Sequence, residues 1–81
     1  MTKLEQKLIE LGYELMEDNS NLYYKPIHNY IDIHIYVRNN EISTYGVKKT
    51  FLINHIKETN FIKKALRIMW SDLEILKECE E

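Results

Sequence analysis

Eighty-one residues allow one domain, spanning 1–81, with a core thin enough that little stability is to spare. At 44% hydrophobic and 30% charged, with two glycines and one proline, the composition excludes disorder and low complexity. The net charge of −2 argues against a domain that holds nucleic acid mainly through its phosphates, and a lone cysteine, Cys79, excludes an internal disulfide framework.

Thr2 followed three residues later by Glu5 is a capping-box pattern, and Leu4, Leu8 and Leu11 recur at helical spacing before Gly12 supplies a stop. A first helix is therefore expected from about Lys3 to Leu11. Tyr13 to Asp18 reads as a first strand, Asn19-Ser20-Asn21 as a turn, and Leu22 to Ile27 as a second strand. Pro26 removes a ladder donor, which suits an edge or the end of that strand.

The clearest strand runs from Ile31 to Arg38. Ile31, Ile33, Ile35 and Val37 point to one face, while Asp32, His34, Tyr36 and Arg38 point to the other. Asn39-Asn40 then fits a tight hairpin, since asparagine tolerates positive φ. With that pair as the loop, Tyr36 faces Ser43 and His34 faces Tyr45. This register expects Tyr36, Tyr45 and His34 to gather on the polar face, with Tyr23 or Tyr24 nearby, and Ile42 to join the isoleucines. Val47 to Ile53 either extends the fourth strand past Gly46, with a bulge, or begins a separate element.

Thr59 or Asn60 is expected to cap a second helix reaching about Cys79. The fold class is α+β: a helix, an antiparallel meander of three to four strands, then a long helix, with both helices on the isoleucine face. In the second helix Ile62, Leu66, Met69, Leu73 and Leu76 make one apolar stripe. Phe61, Ala65, Ile68, Ile75 and Cys79 lie beside it, with Trp70 on the other flank. So wide an arc has two explanations. The helix lies in a groove between the first helix and the sheet, or a homodimer hides Phe61, Ile68 and Ile75.

Charge is segregated along the same helix. Residues 48–67 carry six basic side chains against one acid, Glu58, and residues 68–81 carry five acids against Lys77. Lysines near the helix start and glutamates near its end oppose the macrodipole, at a cost of only about 0.3–1 kcal/mol each. A solvated surface is the plain account of such runs, and a partner that reads one of the patches is the other.

His28, His34, His55 and Cys79 show no paired metal-ligand spacing, so neither a metal nor a cofactor is expected. Asp32 and His34 share an open sheet face, where water screens an acid–base pair. No glycine-rich phosphate loop or nucleophile motif is present, and an enzyme is not expected. Apolar runs such as Phe51-Leu52-Ile53 are far shorter than the roughly 20 residues of a membrane span, and the opening MTKLEQK holds no apolar signal segment. The expected location is the cytoplasm.

The opening LEQKLIELGYELMEDNSNLYYKP resembles the small RNA-cleaving toxins of toxin–antitoxin pairs, which have a double-stranded-RNA-binding-like fold. Their catalytic histidine would fall in the turn into the second strand. Here that turn is Asn19-Ser20-Asn21-Leu22 and holds no histidine, so the resemblance does not carry the cleavage activity over. The chain is also similar in style to small phage and prophage proteins of low-GC Gram-positive bacteria, in its size, its AT-rich composition, its Leu-Gly-Tyr and its closing Asp72-Leu73-Glu74-Ile75-Leu76-Lys77. Proteins of that kind include anti-CRISPR and other anti-defence inhibitors.

That resemblance implies a non-catalytic protein-binding inhibitor or adaptor of phage or mobile-element origin, with a host defence nuclease as a candidate partner. Contact is expected through the tyrosine face (Tyr36, Tyr45, His34) or the acidic end (Glu74, Glu78, Glu80, Glu81), whose carboxylates stand in for phosphates. The alternative is a small RNA- or DNA-binding domain using Lys48, Lys49, Lys63, Lys64 and Arg67.

Overall fold

The computed structural model describes residues 1–49 and 55–80, with backbone alone over 55–58. Its elements are α1 (Lys3–Glu10), β1 (Glu14–Leu15), β2 (Leu22–His28), β3 (Ile31–Arg38), β4 (Glu41–Lys49) and α2 (His55–Lys77). The sheet is antiparallel in the order β1-β2-β3-β4, an α+β meander between two helices.

The capping box forms as the sequence dictates. Glu5 N–H donates to Thr2 Oγ1 at 3.2 Å, and Thr2 N–H donates to Glu5 Oε1 at 3.3 Å. Gly12 takes φ 97° after α1, a left-handed conformation in which a side chain is strained. Leu4 and Leu8 of α1 and Ala65, Met69, Leu73 and Leu76 of α2 meet Tyr13, Tyr23, Ile31, Ile33 and Ile35 in one core. The three isoleucines are fully buried, each contributing about 2 kcal/mol. Both helices thus lie on the isoleucine face, and among the described residues no helix covers the other face of the sheet.

Three boundaries differ from expectation. The first strand shrinks to two residues because the chain turns at Met16, whose N–H donates to Leu22 O and whose carbonyl accepts from Asn19 N–H. The second helix begins at His55, so Thr59 and Asn60 lie inside it; no glycine or proline interrupts 55–77 to delay the start. It ends at Lys77, and Cys79 N–H closes the next turn on Leu76 O. Strand four does continue past Gly46, to Lys49, while the rest of the uncertain 47–53 stretch lies outside the described residues.

Asn39 and Asn40 take φ 54° and 63°, the two left-handed residues of a tight hairpin. Arg38 pairs with Glu41 and Val37 with Ile42, but Tyr36 pairs with Thr44. Ser43 is the extra residue of a bulge, placed earlier in β4 than Gly46. From there on the faces of β4 are exchanged relative to the even register.

Candidate protein-binding surfaces

The open face is built from alternate residues of each strand. One cross-strand row holds Glu14, Tyr24, His34 and Gly46, and the next holds Leu22, Tyr36 and Thr44. Tyr24 Oη donates to Glu14 Oε2 at 2.8 Å, and Asn19 Nδ2 donates to Tyr36 Oη at 2.7 Å. Two tyrosine rings are thereby fixed at their polar tips, with His34 beside them. Its Nε2 lies 3.9 Å from Asp32 Oδ2, close enough for charge attraction but too far for a hydrogen bond. Burial holds the imidazole below its ordinary pKa, Lys48 acts in the same direction, and Asp32 opposes them. Its neutral form is favoured.

Of the expected tyrosine cluster, Tyr36 and His34 occupy this face and Tyr45 does not. The Ser43 bulge turns Tyr45 to the helix face, opposite Ile35, where its ring meets Trp70 edge-on at 5.5 Å. Tyr24 takes the vacated role, while Tyr23 enters the core. Tyr45, Trp70 and Leu66 are 44%, 51% and 37% exposed, a second apolar surface along β4 and one flank of α2.

The acidic residues do not act alike. Glu74 is exposed on α2 and Glu78 is exposed just past its end, whereas Glu80 Oε2 accepts from Ile42 N–H at 2.9 Å, and Glu81 lies outside the described residues. The five basic candidates are all exposed, but Lys48 is on the open face, Lys49 on the helix face, and Lys63, Lys64 and Arg67 on the outer side of α2. Of the three residues considered for a helix-mediated dimer, Phe61 and Ile68 are half-buried against this chain's own core, and Phe61 stacks on His28 at 3.9 Å. Ile75 alone among them is open, at 42%.

A polar cluster escaped the sequence reading. Tyr13 Oη and Lys25 Nζ both donate to Asp72 Oδ2 at 2.9 Å, beneath α2. Burial, with the Asp72 carboxylate next to it, raises the Tyr13 phenol far above its ordinary range and keeps it a donor. The signal was available: Ala65, Met69, Asp72 and Leu76 follow the spacing of the buried stripe, and an acid there needs a partner.

Among the described residues no three His, Cys, Asp or Glu side chains converge to hold a metal ion, and no helix is long and apolar enough to cross a membrane. No family model, curated protein or solved structure matches this chain.

Proposed function

We propose that this chain is a non-catalytic protein-binding module, an inhibitor or adaptor, that takes its partner on the open sheet face. The observation that carries the reading is the placement of both helices on the opposite side, which leaves Tyr24, His34 and Tyr36 with no helix above them among the described residues. Tyrosine offers large amphipathic contact area at low entropic cost, and rings already anchored through Glu14 and Asn19 lose still less freedom on binding. Asp32 and His34 share this face, but the His34 side chain is only 16% exposed and its Nε2 is buried without a hydrogen-bond partner among the described residues, so of Tyr24, His34 and Tyr36 it offers a partner the least. The resemblance to small phage proteins suggests a host defence nuclease as the target.

Nucleic acid is the weaker alternative, because the basic side chains divide between the two sides of the sheet and form no single groove. The experiment compares wild type with the Tyr24→Ser/Tyr36→Ser double variant, after circular dichroism has shown both folded. A bacterial protein captured by wild type should be lost from the variant. Equal capture by both places the contact elsewhere. Salt-sensitive retention of duplex or hairpin RNA in a gel shift would favour the alternative.

A further inference from the structure

The strand β4 ends the sheet, and its outer edge is only partly closed. Val37 N–H donates to Asn21 O, so the backbone of Val37 turns toward β2. Ladder alternation then turns Tyr36 and His34 toward β4, and on β4 it turns Tyr45 and Val47 outward. Near the hairpin the edge is blocked, by the Ser43 bulge and by Glu80 on the Ile42 N–H. Beyond the bulge the outward groups of Tyr45 and Val47 find no partner among the described residues. An open edge of this kind is a template for another strand. Beside it lie the exposed Tyr45, Trp70 and Leu66.

The charges identify the strand that fits. Phe61 packs on His28 at one end of the sheet and Glu80 bonds Ile42 at the other, so α2 runs antiparallel to β4. Lys48, Lys63 and Arg67 therefore lie toward one end of this edge, with Asp32 across from Lys48, and Glu41, Glu74 and Glu78 lie toward the other, partly offset by Arg38, which pairs with Glu41, and by Lys77. The arrangement opposes the α2 macrodipole, so local helix stability does not account for it. A two-fold axis across the edge would set each acidic end against the basic end of its mate.

We propose that a second copy of this chain occupies the edge, antiparallel about an axis at Gly46, with Tyr45 of each strand paired to Val47 of the other. The two sheets become continuous, Trp70 of each helix is covered near the axis, and the charged ends interlock. The pairing is isologous, the commonest symmetry of soluble oligomers. It uses a different surface from the open face and does not depend on what that face binds.

Sedimentation velocity at low salt should show the mass doubling by about 100 µM, with dissociation as salt rises. Val47→Pro, which deletes an outward donor, and Tyr45→Ser should each shift the transition about tenfold toward monomer. Lys63→Glu/Arg67→Glu and Glu74→Lys/Glu78→Lys should each fail to self-associate, yet form a mixed dimer when combined. The mixing result keeps the test sound if the proline variant misfolds. A wild-type protein that stays monomeric throughout overturns the proposal, leaving the edge to some other partner. A dimer indifferent to Tyr45→Ser, or charge variants that do not combine, overturns it equally.

Discussion

One carboxylate oxygen of Asp72 receives both the Tyr13 hydroxyl and the Lys25 ammonium, and that ammonium lies 5.2 Å from the centre of the Tyr13 ring. The three residues tie α2 to β2 and to the turn after α1. Removing one member leaves an acid buried and under-solvated. Lys25→Met should cost about 3 kcal/mol, the low end for a broken buried pair because the lysine is partly exposed. Tyr13→Phe should cost about 1 kcal/mol, since Lys25 still serves the carboxylate. Urea titration of the two variants gives the order. His34 makes a separate statement at this scale. Its folded pKa lies below the unfolded value of about 6.5, so above that pH neither state is protonated and the group contributes nothing. As pH falls through that value toward the lower folded one, the unfolded chain takes up a proton first and stability drops. His34→Gln should flatten this part of the stability–pH curve, measured as the urea midpoint between pH 7.5 and 5. A curve parallel to wild type would count against burial as the cause.

Among the elements, β4 decides which surfaces exist. Gly46 faces open space, with nothing within 4 Å of a Cβ built there, and its φ is not positive. Gly46→Ala should therefore stabilise by about 0.5 kcal/mol, by restricting the unfolded chain. Gly12→Ala, at φ 97°, should instead destabilise by about 1 kcal/mol or more. Thermal melts of the pair should move in opposite directions. The strand β3 was legible because its isoleucines alternate without a break, and α1 because Thr2 and Glu5 advertise its start. The Ser43 bulge was not. Nothing in Glu41-Ile42-Ser43-Thr44-Tyr45 distinguishes a bulged strand from an even one, and one extra residue is enough to send Tyr45 to the other face. The same slip concealed the Tyr45–Trp70 contact, although Trp70 stood out as a flank of α2. The start of α2 was misplaced for another reason: a capping residue at Thr59 is a permissive signal, and a chain already helical passes through it.

For the molecule as a whole, the charge segregation that looked like a solvated surface becomes an axis once α2 is laid against β4. Trp70 is the sole tryptophan, half exposed, and it reports on that edge without a label. Its fluorescence should shift to the blue between about 1 and 100 µM protein if the edge becomes covered, and the shift should vanish in Val47→Pro. Joining two copies in this way also sets their open faces side by side in one plane. A target touching both would gain from the tethering of the second contact to the first.

The other margin of the sheet has a different character. There β1 spans Glu14–Leu15 alone, and past Tyr24 the neighbouring strand presents Pro26, which has no amide hydrogen to offer. A molecule with two long receptive margins would stack without limit into fibres. Under the proposed pairing, with one margin receptive and the other stunted, growth would stop after a single addition, so that a small chain carrying an unfinished edge would keep from polymerising.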